Sequence, residues 1–345
     1  MSRTLYFAYP GDLQTRTGGY GYDRRVAGAF GALNWDVQLV ALGKGFPMEP
    51  DFAEAEKALA AIPEGSLVVI DGLAFGVLDE WADRNASRLR LYALVHHPLA
   101  LETGLTTDLR DALTVSERKA LSCTRGVIVT SNVTARELVA RYGVAREDIV
   151  VALPGTDPVS LATGTCNPPC ILSVGSLTRR KGHDVLIAAL TALRELPWTC
   201  RIVGNKHFDP IVTGGLAEQI RKADLAERIV LVGEVEDPRA EFAHADIFAL
   251  ASRYEGYGMV FAEALAHGLP IVGCAAGAVP EVVPEAAGIL VSPDDPKQLA
   301  MALRRLLTEP ETLSAMADAA AIAGAALPSW RDTAATISTF LERKG

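Results

Sequence analysis

The stretch that decides the fold class is Asp246-Ile-Phe-Ala-Leu-Ala-Ser-Arg-Tyr-Glu-Gly-Tyr-Gly-Met-Val-Phe-Ala-Glu-Ala-Leu-Ala-His-Gly-Leu-Pro270. Its first part, 247–251, is a short apolar run that predicts a buried strand. Gly256 and Gly258 then predict a turn. The residues from 259 to 267 are helix-compatible and are followed by a glycine and a proline, which commonly end helices. This stretch therefore predicts a strand, a glycine turn and a helix.

Two carboxylates lie on either side of that turn. Glu255 precedes the glycines, and Glu263 lies inside the predicted helix. The free backbone N–H groups at a helix N-terminus, together with the helix dipole, suit a phosphate group. Anion donors flanked by carboxylates that bind hydroxyls are what a nucleotide-sugar requires. The spacing alone also fits a plain tight turn with two solvated glutamates.

Short apolar runs alternate with longer helix-compatible segments along the whole chain. Such runs, separated by crossover-length segments, indicate parallel sheets covered by helices on both faces. They fit two doubly wound domains of about six strands each better than one very wide sheet. The predicted strands are 4–9, 37–42, 67–70, 91–95, 127–130, 149–153, 171–174, 200–203, 229–232, 247–251, 271–274 and 289–291.

A segment rich in proline and small polar residues, 154–169, separates the two halves of the chain. We therefore predict an N-terminal domain over 1–155, a linker over 156–169 and a C-terminal domain over 170–328. The last segment, about 329–345, is helical by composition.

Composition excludes several classes of protein. The chain of 345 residues has a net charge of −9 and a pI near 5.3, which argues against a general nucleic-acid binder. Its five cysteines are scattered without paired spacing, which indicates reduced thiols and no metal site. No stretch approaches the ~20 apolar residues of a membrane span, and the N-terminus does not resemble a signal peptide. We expect a soluble cytoplasmic protein; peripheral membrane contact and the oligomeric state stay open.

A basic turn opens the predicted C-terminal domain. The strand 171–174 is followed by Gly175, and Arg180 and Lys181 precede a helix that begins near His183. Doubly wound folds bind their ligands at the carboxyl edge of the sheet, where this turn would lie. Two cations at that edge can neutralise a diphosphate and stabilise the charge that develops on it. Taken alone, the turn also fits ordinary solvated basic residues.

Together these strings resemble the Glu-x7-Glu signature of the retaining glycosyltransferases of family 4, which have the GT-B fold. The resemblance runs through Glu255-Gly-Tyr-Gly258, Glu263-Ala-Leu-Ala266 and Gly268-Leu-Pro-Ile271. It implies two doubly wound, Rossmann-like domains facing an interdomain cleft, with the final helix crossing back to the N-terminal domain from Ser329. It also implies a hexosyltransferase that needs neither a metal nor a cofactor and binds its nucleoside-diphosphate sugar mainly through the C-terminal domain.

The resemblance assigns roles in the C-terminal domain. Arg180 and Lys181 would stabilise the leaving diphosphate, Glu255 would hold the sugar hydroxyls, and Glu263 would hold the ribose. Neither glutamate needs to be a covalent nucleophile, and Glu281 is expected to be structural. The other donor-binding residues are Gly175, Ser176, Gly204, Gly233, Val235, Gly256, Tyr257, Gly258, Met259 and Val260.

The sequence departs from the family pattern at one position. Ser176 stands where these enzymes commonly have an arginine. Either Arg180 supplies the missing charge, or the diphosphate is held more weakly. At Gly204, Gly233 and Val235, contact with the nucleotide and a plain strand end both stay open.

The N-terminal domain contributes a glycine loop. Gly18 and Gly19 correspond by resemblance to a loop that faces the donor phosphates and the acceptor. A dinucleotide-binding loop would need a third glycine, but Arg24 occupies that position, which argues against a dehydrogenase.

Two histidines follow the strand 91–95. His96 matches the family residue that contacts the transferred sugar, and as a neutral imidazole it would both accept and donate hydrogen bonds. His97 is expected to make only local contacts, and Glu102 is expected to line the acceptor side.

We therefore predict a retaining glycosyltransferase that moves a hexose-type sugar from a nucleotide-sugar to a glycan, lipid or small-molecule acceptor. Two alternatives stay open: a GT-B nucleotide-sugar epimerase or hydrolase, and a catalytically silent nucleotide-binding protein. The sequence does not identify the base, the sugar or the acceptor.

Overall fold

The chain forms two compact units. The computed structural model describes residues 3–164 and 166–344. The first unit comprises the described residues up to Gly155 together with those from Pro328 onward, and the second comprises those from Thr156 to Leu327. Each unit contains one six-stranded sheet in which every pairing is parallel. The prediction of two parallel sheets of six strands is confirmed.

The first sheet has the strand order β2-β1-β3-β4-β5-β6. Its central strands are buried on both faces, because their apolar side chains are covered by helices on each side of the sheet. The strands are β1 (Arg3–Tyr9), β2 (Trp35–Ala41), β3 (Leu67–Asp71), β4 (Arg90–Val95), β5 (Gly126–Val129) and β6 (Ile149–Val151).

Side-chain caps start several helices of the first unit. Asp51, Thr106 and Ser131 each accept a hydrogen bond from the backbone N–H three residues later. The helices are α1 (Gly18–Phe30), α2 (Phe52–Ala60), α3 (Gly72–Phe75), α4 (Asp79–Asn85), α5 (Thr107–Ser122) and α6 (Asn132–Glu137), which continues into a π-helical turn, Leu138–Tyr142.

The C-terminal helix (Trp330–Lys344) belongs to the first unit. Thr333 Oγ1 donates to the carbonyl oxygen of Leu153 at 2.7 Å, and Trp35 Nε1 donates to Ser338 Oγ at 2.8 Å. These two buried hydrogen bonds hold the helix against the end of β6 and the start of β2.

The second sheet has the strand order β12-β11-β10-β7-β8-β9. Its strands are β7 (Cys170–Val174), β8 (Thr199–Val203), β9 (Ile229–Gly233), β10 (Ile247–Leu250), β11 (Ile271–Cys274) and β12 (Gly288–Val291). Its helices are α7 (His183–Thr191), α8 (Pro210–Lys222), α9 (Arg239–Ala243), α10 (Met259–Ala266), α11 (Val279–Val282), α12 (Pro296–Thr308) and α13 (Pro310–Ala325). Helices α7, α8 and α12 pack on one face of the sheet, and α9, α10, α11 and α13 pack on the other.

The segment predicted as a linker packs on the second unit. Ala162 N donates to the carbonyl oxygen of His267 at 2.8 Å, and Thr163 N donates to that of Ala243 at 3.1 Å. His267 Nδ1 lies 2.9 Å from the carbonyl oxygen of Ser160. The structure thus assigns the described residues of the predicted linker to the second unit.

The strand order reverses direction once in each sheet. In the second unit, β7 lies between β8 and β10, so the loops that follow β7 and β10 leave the same edge side by side. In the first unit the corresponding neighbours are β1 and β3. Ligands of open α/β sheets bind at such switch points, outside the carboxyl ends of the strands.

Candidate active site

The switch point of the second unit brings together residues that the sequence identifies separately. Arg180 and Lys181 lie in a 3₁₀ turn after β7, and Glu255 lies in the loop between β10 and α10. Lys181 Nζ is 2.6 Å from Glu255 Oε1, and Arg180 Nη1 is 3.5 Å from Glu255 Oε2. Ser252 Oγ donates to Glu255 Oε1 at 2.7 Å. We call Arg180, Lys181, Ser252 and Glu255 the Glu255 cluster.

Glu255 remains ionised although it is buried, with 5% of its surface exposed. Burial raises its pKa, but the positive charges of Lys181 and Arg180 and the hydrogen bonds from Lys181 and Ser252 outweigh that effect, so its pKa lies below the usual value. The cluster therefore contains two cations and one carboxylate, which leaves one net positive charge at the sheet edge.

Two glycines allow the loops of this site to approach each other. Gly182 has a φ of +67°, and a Cβ there would overlap the carbonyl oxygen of Ala251 at the end of β10. Gly277 has a φ of +57°, and a Cβ there would overlap the carbonyl oxygen of Glu255. Ala278 N donates to that same Glu255 oxygen at 2.9 Å. Glycine is required at both positions because of the left-handed backbone and the close backbone contact.

Arg253 connects the loop that carries Glu255 to neighbouring segments of the second unit. Arg253 Nη2 lies 2.8 Å from Asp184 Oδ2 and 2.7 Å from Asp294 Oδ1. Arg253 N also donates to the carbonyl oxygen of Arg180 at 2.8 Å. The loop after β10 is thereby fixed to the turn after β7, and these contacts help to position the Glu255 cluster.

The predicted phosphate-binding turn leads into α10. Gly258 caps the helix with a φ of +93°, and Tyr257 is buried beside it. Glu263 lies in the second turn and is partly buried. Burial raises the pKa of Glu263 to about 7; the charge of Lys181 opposes this rise and that of Asp237 adds to it.

The remaining predicted donor residues lie at the ends of the neighbouring strands. Gly175 N donates to the carbonyl oxygen of Val203 at 2.9 Å, and Gly204 N donates to that of Gly233 at 3.0 Å. These contacts join the carboxyl ends of β7, β8 and β9. Ser176 and Val235 are partly exposed at the same edge.

Lys206 is a residue of this edge that the sequence did not single out. A Cβ added at Gly233 would lie 3.5 Å from Lys206 Cε, so the lysine stem covers that glycine. Glu281, by contrast, is exposed at the end of the short helix α11, and its predicted structural role stays a prediction.

The other predicted site residues lie in the first unit. Gly18 and Gly19 are the first residues of α1, and His96 follows β4. His96 Nε2 lies 3.1 Å from Asp23 Oδ1 and 3.4 Å from Asp71 Oδ2. We call His96, Asp23 and Asp71 the His96 cluster.

Two carboxylates at Nε2 act against the neutral His96 that the sequence led us to expect. Burial lowers the pKa of His96, but the two carboxylates outweigh burial and raise it to about 10. The sequence missed both aspartates, although Asp71 gives a signal, because it follows the apolar run 67–70 directly. Ligand atoms of the cluster lie within 4.8 Å of one another, a spacing that a metal ion would also accept.

His97 lies near the carboxylate of Glu102. Its Nε2 lies 3.5 Å from Glu102 Oε2. The predicted position of Glu102 on the acceptor side stays a prediction.

Part of this chain is similar to known proteins in sequence. Residues 168–309 match the family model described as "Glycosyl transferases group 1". A D-inositol 3-phosphate glycosyltransferase of Thermobifida fusca is 29% identical over 233 residues, 60% of this chain and 52% of the relative. A mannosylfructose-phosphate synthase of Agrobacterium fabrum is 32% identical over 42% of this chain and 37% of the relative. The chain spans about half the length, or less, of these curated relatives.

Solved structures match the whole chain in fold. A sucrose-phosphate synthase from Thermosynechococcus elongatus superposes with a TM-score of 0.83 at 21% identity, over 99% of this chain and 98% of that one. Anabaena HepE, solved in complex with UDP and glucose, gives a TM-score of 0.78 at 17% identity, over 97% and 99% of the two chains.

The fold and the site thus define a protein of the GT-B class. Residues 168–309, which carry the Glu255 cluster and α10, are similar to the group 1 glycosyl transferases. A separate finding concerns membranes: among the described helices, none has both the length and the apolar composition needed to cross a bilayer.

Proposed function

We propose that this protein is a retaining glycosyltransferase similar to family 4, which transfers a hexose-type sugar from a nucleoside-diphosphate sugar to a glycan, lipid or small-molecule acceptor. The observation that carries the proposal is the Glu255 cluster, because it places two cations and an ionised carboxylate at the switch point of a group 1 glycosyl transferase domain.

The cations bind the leaving group. Lys181 and Arg180 contribute one net positive charge after Glu255 is counted, and the free N–H groups from Gly256 to Val260 add donors at the start of α10. These groups stabilise the negative charge that grows on the diphosphate as its bond to the sugar breaks. No metal is required for this role, and no cofactor takes part.

The glutamates hold hydroxyl groups. Glu255 is ionised, so it accepts hydrogen bonds from hydroxyls of the transferred sugar and does not act as a general acid. Glu263 binds the ribose. The new bond forms on the face from which the diphosphate departs, and a diphosphate oxygen takes the proton of the acceptor hydroxyl. Neither glutamate forms a covalent bond.

The donor residues favour a specific first test. HepE was solved with UDP and glucose, so UDP-glucose is the first donor to examine here. Gly175, Ser176, Gly204 and Gly233 supply the phosphate and nucleoside side of the site, and Val235 supplies an apolar contact for the base. Enzymes of family 4 commonly have an arginine at the position of Ser176, and Arg180 provides the positive charge of that arginine here.

The first unit supplies the acceptor side. Gly18 and Gly19 leave the start of α1 without side chains, and His96 contacts the transferred sugar. Because one relative is named a D-inositol 3-phosphate glycosyltransferase, D-inositol 3-phosphate is included among the acceptors to be tested. We place the reaction in the cytoplasm, and a lipid acceptor would bring the protein into peripheral contact with a membrane.

A binding screen followed by a turnover assay tests the proposal. In thermal-shift measurements against UDP, GDP and ADP and then their sugars, one nucleotide series should raise the Tm, since a ligand that binds only the folded state stabilises it. The labelled form of that donor is then incubated with and without acceptors, before and after dialysis against EDTA. Transfer that exceeds hydrolysis and survives EDTA supports the proposal.

The alternatives give different products. A donor that is hydrolysed or epimerised equally fast without an acceptor would show an epimerase or hydrolase. A donor that binds and is never turned over would show a silent nucleotide-binding protein. An anomeric configuration inverted in the product would contradict the retaining mechanism.

A further inference from the structure

Three buried groups of the first unit converge from three different elements. Asp23 extends from α1, Asp71 ends β3, and His96 follows β4. Asp23 is fully buried and Asp71 is 3% exposed, whereas the His96 side chain keeps 20% of its surface exposed. The ring of His96 is therefore the part of the cluster that solvent or a ligand reaches.

Both carboxylates contact the same ring nitrogen. Asp23 Oδ1 and Asp71 Oδ2 lie 3.1 and 3.4 Å from His96 Nε2, and Asp71 Oδ1 accepts a hydrogen bond from Leu73 N at 2.7 Å. Two carboxylates around one N–H fix both the proton on Nε2 and the plane of the ring. Nδ1 is then the nitrogen that remains to bind another group.

The start of α1 approaches the Cδ2 and Nε2 atoms of the ring. A Cβ at Gly19 would lie 3.4 Å from His96 Cδ2 and 3.6 Å from Nε2, so a side chain there would pack directly on the imidazole. Tyr22 contacts the ring edge-on from the same helix, with centroids 5.3 Å apart. The imidazole is thus held on one side by Tyr22 and left without a side chain at Gly19.

We propose that Asp23 and Asp71 are positioning residues that keep His96 an imidazolium, so that its Nδ1–H donates a hydrogen bond to an uncharged oxygen of the sugar or acceptor. This deepens the role of His96 within the proposed glycosyl transfer, and the part that concerns turnover rests on that function.

The charge balance of the cluster selects an uncharged oxygen. Burial and the charge of Asp71 raise the pKa of Asp23 to about 7, so the two carboxyl groups hold one proton below that pH and none above it. With that proton and an imidazolium, the three groups carry no net charge; without it, they carry one negative charge. A hydroxyl or ring oxygen is therefore favoured over a phosphate, which the carboxylates would repel.

Protonation behaviour agrees with the geometry. The titratable groups that face the cluster are Asp23, Tyr20 and Tyr22 from α1 and Asp71 from β3. Burial raises the pKa of Asp23 to about 7, while hydrogen bonds and the charge of His96 keep that of Asp71 below its usual value despite burial. His96 therefore has at least one ionised carboxylate beside it on both sides of neutral pH.

Nitrogen-15 NMR of the full chain tests the charge state without any turnover. His96 is identified by its absence in His96→Gln. In the wild type its two ring nitrogens should keep imidazolium shifts from pH 6 to pH 9, and in Asp23→Asn and Asp71→Asn its pKa should fall by about one unit or more. A neutral wild-type His96 at pH 7.5 would overturn the proposal, whether or not glycosyl transfer is observed.

Kinetics separate positioning from a merely structural role. The ratio of wild-type to variant kcat should grow from about threefold at pH 6 to more than about tenfold at pH 9, because the variant imidazole loses its second N–H as the pH rises. KM for the donor should change little. Asp79→Asn, which alters a carboxylate of α4 bound to Ser116 and Lys119, is the matched control. A ratio that is constant with pH would contradict the proposal.

Two further readouts address competing ligands. Inorganic phosphate should leave the His96 signals unchanged, and a saturable shift would show an anion site instead. Metal analysis of the purified protein should find no divalent ion bound by the His96 cluster. A divalent ion that is present in the wild type and absent from both His96→Gln and Asp71→Asn would overturn the proposal. If either aspartate variant fails to fold, Asp71→Glu should retain the imidazolium, and the wild-type spectrum still decides the charge state.

Discussion

The two units hold their central ionisable groups in opposite ways. In the second unit one carboxylate, Glu255, lies between two cations, Lys181 and Arg180. In the first unit one imidazole, His96, lies between two carboxylates, Asp23 and Asp71. Both clusters lie beyond the carboxyl ends of parallel strands, and both are largely buried.

The proposed function gives the two clusters different roles. The Glu255 cluster has an excess positive charge, which suits a doubly charged leaving group. The His96 cluster has no excess positive charge, and it presents a single directed N–H. In the proposed reaction the Glu255 cluster stabilises charge and the His96 cluster orients an uncharged group. Both clusters combine cationic groups with carboxylates, and the net charge of each cluster decides which ligand group it suits.

The largest effect is expected from breaking the Glu255 cluster itself. Lys181→Ala and Glu255→Ala should each lower kcat/KM on the order of 10²-fold or more, the scale for losing one preorganised charged group. Lys181→Ala removes the cation that lies 2.6 Å from Glu255, and Glu255→Ala leaves two cations without their buried partner. Initial rates with the donor found in the binding screen provide the measurement.

Arg179→Ala is the matched control for that experiment. Arg179 belongs to the same 3₁₀ turn, but its side chain is exposed. Its removal should change kcat/KM by less than about twofold, since isolated surface charges contribute little. Near-wild-type activity in both Lys181→Ala and Glu255→Ala would remove the proposed site.

The next effect tests whether close backbone contacts set the site apart from the rest of the molecule. Gly182→Ala should lower the free energy of unfolding by about 2–4 kcal/mol, because a left-handed residue would also collide with the Ala251 carbonyl. Gly143 in the first unit has a similar φ of +73°, but an added Cβ would meet nothing within 4 Å. Gly143→Ala should therefore cost only about 1 kcal/mol. Equal losses in chemical denaturation would contradict this distinction.

The sheets were predictable because their strands are buried on both faces. Runs such as 67–70 and 247–251 are apolar without alternation, and this pattern indicates parallel strands between helices. The glycine turn before α10 and the basic turn after β7 were predictable for a related reason. Both directly follow such strands, so their positions at the sheet edge follow from the topology.

The partners of the site residues were not predictable in the same way. Ser252 contacts Glu255, and Asp23 contacts His96, only after the loops and helices have packed. Asp23 lies in a helix, where a lone carboxylate is ordinarily exposed, and only tertiary packing buries it. The two carboxylates beside His96 were missed for this reason, since both are distant from it in sequence.

A smaller effect should reveal which residue replaces the arginine missing at Ser176. Arg180→Ala should lower kcat/KM about tenfold, because Arg180 carries the second cation and also donates to the Tyr254 carbonyl oxygen at 3.0 Å. Ser176→Arg in that background should recover most of the loss. If Ser176→Arg improves the wild type by the same factor as it improves Arg180→Ala, the two charges act independently and Arg180 is not a replacement.

The smallest effect concerns the contrast between the two glutamates of the second unit. Glu255 is kept ionised by cations, whereas burial raises the pKa of Glu263 from 4.5 to about 7. A folded-state pKa above the unfolded value means that the contribution of Glu263 to stability is full below about pH 4.5 and is lost as the pH rises through about 7. Glu263→Gln stays neutral and escapes this loss. The Tm of the variant relative to wild type should therefore increase by a few degrees, about 2–4 °C per kcal/mol, between pH 5 and pH 8.

Calorimetry at both pH values measures this Tm difference, with Glu227→Gln, an exposed position, as the control. A Tm difference that does not change with pH would show that Glu263 is ionised throughout, and the two glutamates would then share one charge state instead of dividing into an ionised and a largely protonated group.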